Sequence, residues 1–257
     1  MLHAVSYLAP NSFTFYQSVT AALARSLSVE ITFHQSMLDP LEDPEFMNSQ
    51  LDLAFICGLP FIRHHQRYPD QFQVLAAPVM QAQRYCDRPI YFSDLIVNRA
   101  SSVHQVSDLS GKIFGYNDQG SNSGYYVMKW YLAKHNYPND FFSDWVETSS
   151  HQHSLHRVLE GSIDSAALDS IVLERSLQIH PEWKDAIRVI QTIGPSPIPP
   201  IIVATHLGEI VIHKLRTALR YPDHGLRIAM KHAGIHHYIE QTWQDYKILV
   251  ERYEYIL

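Results

Sequence analysis

Short apolar runs alternate with helix-spaced runs along most of this chain, and that alternation restricts the fold more than any other feature. Leu2 to Leu8 reads as a buried strand. The turn A-P-N-S-F, with Pro10, Asn11 and Ser12, then starts a helix from Phe13 to Leu27, whose Phe13, Tyr16, Val19, Leu23 and Leu27 fall near one face. Val29 to Phe33 alternates as a strand, so the chain opens β-α-β. After the loop Asp39 to Asp43 come a short helix near Glu45 to Gln50, a strand Leu51 to Ile56, a helix from about Pro60 to Gln66 and a strand Phe72 to Pro78. Such interleaving predicts an α/β fold on a mostly parallel sheet with helices on both faces. Ligands on such sheets bind beyond the carboxyl ends of the strands, where the turns at Pro10 to Ser12, Cys57 to Pro60 and Gly120 to Gly124 fall.

The pattern restarts after Val79. Strands are expected at Tyr91 to Asn98, Lys112 to Tyr116, Trp145 with Val146, Asp164 to Leu168, and Ile187 to Ile193, and helices at His151 to Leu159 and Ser170 to Ile179. The proline-rich Gly194 to Pro200 leads into a strand at Ile201 to Ala204; proline fixes φ and withholds a donor, so this stretch suits an extended crossing. Helical stretches at Leu207 to Arg220, Gly225 to Ala233 and Tyr238 to Tyr253 return to the first lobe. The expectation is two α/β lobes with a ligand cleft between them. Residues 1–88 with 201–257 form one lobe and residues 89–200 the other, with crossings near 88–91 and 194–201.

Composition narrows the function classes. With 46% hydrophobic and 18% charged residues the chain reads as soluble and globular, and its net charge of -6 opposes broad binding to nucleic acid, which needs a basic face. A small anion is not opposed, because an array of N–H dipoles acts independently of net charge. Cys57 and Cys86 supply no disulfide framework and no thiolate metal cluster, and whether the two pair is left open. No apolar run approaches the ~20 residues of a membrane span. M-L-H-A-V-S-Y-L enters a strand at once, without the basic and apolar regions of a secretory signal. The sequence as it stands therefore reads as cytoplasmic, or as periplasmic if a signal was removed.

The central motif is N-D-Q-G-S-N-S-G-Y-Y, Asn117 to Tyr126, between the strand Lys112 to Tyr116 and a helix expected at Tyr125 to Lys134. Small polar residues at a strand-to-helix junction leave N–H groups and hydroxyls at the positive end of a helix, an arrangement suited to an anion. The same residues also suit a plain N-cap at Ser121 or Asn122, with Gly120 and Gly124 permitting the bend. Composition of the motif alone does not separate the two readings.

Several motifs in a fixed order carry a resemblance. Y-L-A-P-N at the N-terminus, L-D-L-A-F-I-C-G-L-P at Leu51, Y-F-S-D-L-I-V at Tyr91, D-L-S-G-K at Asp108, N-D-Q-G-S-N-S-G at Asn117, S-H-Q-H-S-L at Ser150 and G-S-I-D-S-A-A-L-D-S at Gly161 recur here. Together they resemble the phosphonate, phosphite and phosphate binding proteins of ABC transporters, which have a two-lobed type II periplasmic-binding fold. The resemblance runs from the first strand to about Ala204. It implies a solute-binding protein that closes by hinge bending on a small phosphoryl oxyanion, delivers it to a permease, and needs no cofactor.

The resemblance further implies that Ser121, Asn122, Ser123 and Gly124 grip phosphoryl oxygens, with Asn122 standing where the family usually has Thr. It implies ligand contacts from Tyr91 and His151, and a polar contact from Asp169. In aminophosphonate binders an acid in the second crossing meets the ligand amine; S-P-I-P-P here has none, which favours phosphate, phosphite or an alkylphosphonate.

Each residue also has a plainer role. Asn11 and Tyr16 can floor the cleft or serve as a helix cap and a core tyrosine; Asp169 can cap the helix that begins at Ser170. His151, His153 and His156 form H-x-H-x-x-H, but on a helix His151 and His153 point apart, so no metal is expected. The adjacent pairs His64-His65 and His236-His237 read as surface. No nucleophile-base set, Walker A motif or H-E-x-x-H is present. The expected protein is a monomer that is not an enzyme; the rival readings are a cytoplasmic ligand sensor and an enzyme on the same fold acting on a phosphorylated small molecule.

Overall fold

The computed structural model describes residues 1–256. In chain order its main elements are β1 (Leu2–Ser6), α1 (Phe13–Leu27), β2 (Ile31–Gln35), α2 (Pro44–Met47), β3 (Leu53–Phe55), α3 (Gly58–Arg67) and β4 (Phe72–Met80). Next come β5 (Ile90–Asn98), β6 (Ile113–Tyr116), α4 (Val127–Lys134), β7 (Asp144–Glu147), α5 (His151–Glu160), β8 (Ser165–Asp169) and α6 (Ser170–Ile179). The rest are β9 (Ile187–Pro197), β10 (Ile201–Ala204), α7 (Gly208–Arg220), α8 (His224–His232), β11 (Ile235–Ile239) and α9 (Lys247–Glu254).

The chain packs as two compact units, Met1–Ile90 with Pro197–Val250, and Tyr91–Ser196 with the residues from Glu251 onward. The last assignment differs from the sequence expectation, which gives the whole C-terminal run to the first unit. Its reason is Arg252, whose Nη1 donates to Ser196 Oγ at 2.8 Å and Nη2 to the Pro195 carbonyl at 3.0 Å, while the guanidinium lies over the Trp130 ring.

In the first unit six strands run in the order β11-β4-β10-β3-β1-β2. α1 turns Val19, Ala22 and Leu23 inward and stops at Ser28, a left-handed residue with φ 54° that closes the last turn. Phe46 stacks on Phe72 at 5.1 Å and Phe61 meets Tyr246 edge-on at 5.6 Å, all four rings being fully buried. The β1–β2 and β1–β3 pairs are parallel; β10 lies antiparallel between β3 and β4, and β11 antiparallel to β4. The expected mostly parallel sheet is therefore mixed, because a strand arriving from the second crossing inserts between two others in the reverse sense. The helix expected over Tyr238 to Tyr253 is also corrected. Residues Ile235–Ile239 form β11, which buries Ile235 and Tyr238, and helix resumes only at α9 after a short 3-10 turn.

In the second unit five strands run in the order β7-β6-β8-β5-β9, with β6–β7 and β6–β8 parallel and β5–β8 antiparallel. Strand alternation splits the core in two. Leu95, Val97, Phe114 and Ala167 pack with Val127, Met128 and Leu132 of α4, while Ile96, Ala166 and Leu168 pack with Leu155 and Val158 of α5 and Leu173 of α6. Both faces of this sheet are thus helix-covered, as the α/β pattern requires. Cys57 and Cys86 are not joined in a disulfide. Among the described residues no helix is long and apolar enough to cross a membrane.

Candidate functional site

Topology alone gathers the second unit's polar turns. β6, β7 and β8 run the same way, so the segments that follow them, Asn117–Gly124, Thr148–His151 and Asp169–Ser170, emerge at one edge of the sheet. β5 runs the opposite way to β8, which brings its first residues, Tyr91 to Ser93, to the same edge; Ser93 pairs with Asp169.

The central motif folds as a helix start that arrives three residues earlier than the sequence spacing suggests. Asn122–Tyr126 forms one turn of π-helix that runs into α4, and Ser121 is its N-cap, accepting from the Gly124 N–H at 3.1 Å. Upstream, Asp118 holds the bend by accepting from the Gly120 N–H at 2.9 Å. The capping role is therefore real, but it uses only one of the first-turn N–H groups. A helix start offers no upstream carbonyl to those of Asn122 and Ser123.

Around this turn, buried side chains interlock. Asn122 Nδ2 donates to Tyr91 Oη at 2.7 Å and reaches Ser196 Oγ at 3.4 Å. Ser93 Oγ donates to the Ser123 carbonyl at 2.6 Å. Ser123 Oγ lies 3.1 Å from His151 Nε2, and His151 Nδ1 is buried with no partner. Desolvation holds the His151 pKa down to about 4, so the ring is neutral at pH 7. Gly124 is required by close approach, since a Cβ there would stand 1.9 Å from Asn117 Oδ1 and 3.2 Å from His151 Cε1.

Of the expected residues, Ser121, Asn122, Ser123, Gly124, Tyr91 and His151 belong to this cluster, and Asp169 reaches the same sheet edge through its pairing with Ser93. Asp169 serves as the N-cap of α6, accepting from the Ile171 N–H at 2.7 Å. Desolvation pushes its carboxyl up to about 7, with Asp94 and Glu174 adding to the shift while the N–H groups of Ile171 and Val172 oppose it. Asn11 and Tyr16 lie in the first unit. Asn11 is exposed in a 3-10 turn without a side-chain cap bond, and the half-buried Tyr16 ring packs 4.6 Å from Phe55. The histidine triplet disperses: His153 Nδ1 turns to the Thr148 carbonyl at 3.1 Å and His156 meets Trp183 edge-on.

Sequence reasoning names no site role for Ser93, Asn117, Ser196 or Arg252. Ser93 is within its reach, because strand alternation places it on the same face as Tyr91, and Asn117 opens the central motif itself. Ser196 and Arg252 come in only through contacts distant in sequence.

Comparisons with known proteins bear on the family and the fold. The family model described as ABC transporter, phosphonate, periplasmic substrate-binding protein matches residues 5–246. The phosphonates-binding periplasmic protein of Escherichia coli strain K12 is 30% identical over 132 residues, which is 49% of this chain and 39% of that protein. The chain thus matches well under half the length of that curated relative. Among solved structures, a binding protein component of an ABC phosphonate transporter from Pseudomonas aeruginosa has a TM-score of 0.83 at 17% identity, covering 98% of this chain and 85% of that one. PhnD1 from Prochlorococcus marinus, solved in complex with methylphosphonate, has a TM-score of 0.85 at 16% identity, covering 98% and 97%. At these identities the solved structures establish likeness of fold.

Proposed function

The chain belongs to the family of periplasmic substrate-binding proteins of phosphonate ABC transporters, and from that premise we propose that its Ser121–Gly124 turn holds the phosphoryl oxygens of a small phosphonate or phosphate-like anion. The family consists of substrate-binding components rather than enzymes.

One observation carries the site assignment, a proton left over in the Ser123–His151 pair. If the proton of the neutral ring sits on Nε2, it donates to Ser123 Oγ, and the serine hydroxyl keeps its own hydrogen for a ligand. If it sits on Nδ1, Ser123 donates to Nε2 and the buried, partnerless Nδ1–H is the spare donor. In both tautomers the protein leaves one buried donor unused, which costs free energy unless an acceptor arrives. The N–H groups of Asn122 and Ser123 belong to the first turn of that helix, whose positive end favours an anion. Hydrogen bonds from such donors to an anion contribute on the order of 1.5–3 kcal/mol each.

The second crossing supports a ligand without an amine. Ser196 there is bonded to the Arg252 guanidinium, so a cation stands where an amine would call for a carboxylate. We take the ligand to be an alkylphosphonate, phosphite or phosphate. The catalytic reading is disfavoured by the same pair: a hydroxyl beside an imidazole resembles a nucleophile and base, but His151 Nδ1 has no carboxylate to orient it and burial makes the ring a weak base. The proposal includes a periplasmic location, a monomeric state, and delivery of the ligand to a membrane permease.

Titration calorimetry with methylphosphonate, phosphite, phosphate and 2-aminoethylphosphonate tests the reading. The first three should bind with one-to-one stoichiometry, and the amine-bearing ligand at least about tenfold more weakly, a difference of ~1.4 kcal/mol. Heat-silent titrations with all four would overturn it.

A further inference from the structure

A second cluster lies in the first unit and shares no residue with the phosphoryl turn. His236 Nδ1 is 3.2 Å from Asp87 Oδ1, His237 Nδ1 is 3.8 Å from the same oxygen, and the two Nδ1 atoms are 3.2 Å apart. We propose that Asp87, His236 and His237 form a binding site for a first-row divalent cation such as Zn²⁺.

Neighbouring histidines in a regular strand point to opposite faces, so the convergence of His236 and His237 needs a local cause. β11 supplies it. Its pairing with β4 shifts register between Ile235 and His237, a bulge on the edge strand of the sheet, and a bulge re-aims the side chains beside it. Opposite them, Cys86 and Asp87 both adopt left-handed backbone, φ 53° and 54°, a conformation that costs energy for a residue with a side chain. Two irregular segments, the bulge of β11 and the turn at Cys86–Asp87 between β4 and β5, thus present three donor atoms to one point.

No protonation state makes all three contacts hydrogen bonds at once. With one ring protonated at Nδ1, a single hydrogen faces both Asp87 Oδ1 and the other ring's Nδ1, while that second nitrogen turns a lone pair toward the carboxylate. With both rings protonated, two N–H groups oppose each other across 3.2 Å. A cation accepts all three lone pairs at once. A tetrahedral Zn²⁺ with bonds of about 2.0–2.1 Å sets its donors roughly 3.3–3.4 Å apart, and the three separations here, 3.2, 3.2 and 3.8 Å, bracket that edge. Two imidazoles and one carboxylate suit zinc and its neighbours, with water completing the shell at this exposed position.

Zn²⁺ titrated into the chelator-treated chain at neutral pH, followed by calorimetry and by thermal melting, tests the site. The expected result is one saturable site with a Kd of about 10 µM or tighter and a rise in melting temperature that follows occupancy. His237→Ala and Asp87→Asn should each weaken it at least about tenfold, whereas His213→Ala, on an exposed part of α7, should leave it unchanged. Asp87 and His236 are exposed and His237 is half-buried, and circular dichroism of each variant checks that the fold is retained. Absence of a saturable site, or a site indifferent to both His237→Ala and Asp87→Asn, would overturn the proposal. The phosphonate titrations are read on residues that this cluster does not include, so either result stands without the other.

Discussion

At the scale of single residues, the Ser123–His151 pair makes two predictions. With the ring proton on Nε2 the Ser123 hydroxyl is the spare donor, so Ser123→Ala should lower affinity for methylphosphonate by about tenfold or more in calorimetry; a variant binding like the parent would pass the donor role to His151 Nδ1. The second concerns acid. A histidine near 6.5 when unfolded and about 4 when folded makes the unfolded state bind more protons between those values, so stability rises with pH across that window. Its contribution is complete above about 6.5 and is lost as pH falls toward 4. His64, also driven down to about 4 by desolvation, acts with the same sign, while Asp169, raised to about 7, acts with the opposite one. The difference between parent and His151→Gln therefore isolates the term: between pH 7.5 and 5 the parent should lose ~2 kcal/mol more than the variant, measured from urea midpoints. Equal losses would mean that the ring is not held neutral. Ser121 to Gly124, Tyr91 and His151 are marked in the sequence by the ordered motifs that carry the family resemblance, not by residue types or spacing alone. Ser196 and Arg252 are not, because they enter through contacts spanning 74 and 56 residues, and the sequence near either carries no trace of the other end.

At the scale of elements, the turn works because a helix begins where a side chain is missing. In an ordinary helix Gly→Ala gains about 1 kcal/mol from propensity. At Gly124 the new methyl would overlap Asn117 Oδ1, and Asn117 is buried and tied through Nδ2 to Asp118. Forced packing of that kind costs typically 1–3 kcal/mol, which exceeds the propensity gain. Gly124→Ala should therefore lower the melting temperature and weaken phosphonate binding together, and a more stable variant with intact binding would refute the crowding argument. Helices with clean local signals are readable to the residue, α1 by its apolar spacing and α6 by the Asp169 cap that precedes it. β11 escapes a local reading because H-H-Y-I is short and its strand identity comes from β4, more than a hundred residues earlier. The mixed sheet escapes it for the same reason: antiparallel insertion of β10 between β3 and β4 is a property of the return path, which no local pattern encodes.

At the scale of the whole molecule, the chain's charge opposes the ligand it is proposed to hold. A net charge of -6 repels a phosphonate at long range, while the turn attracts it at short range through neutral N–H and O–H donors. The two effects respond differently to salt. Repulsion between separated charges fades as the Debye length shrinks from about 30 Å at 0.01 M to about 10 Å at 0.1 M, whereas hydrogen bonds from buried donors are screened far less. A site built on exposed Lys and Arg would lose affinity over that range, because its attraction is itself the screened quantity. Here affinity for methylphosphonate should hold constant or rise by no more than about threefold between those two concentrations of potassium chloride, measured by calorimetry at constant pH. Arg252 is a cation bonded into the cluster, and its position behind Ser196 makes it a test of the same point: Arg252→Gln should lower affinity at both salt concentrations by a similar factor. A fall of tenfold or more with salt in the parent chain, abolished in Arg252→Gln, would instead assign the ligand to the guanidinium, and the dipole account of the turn would fail.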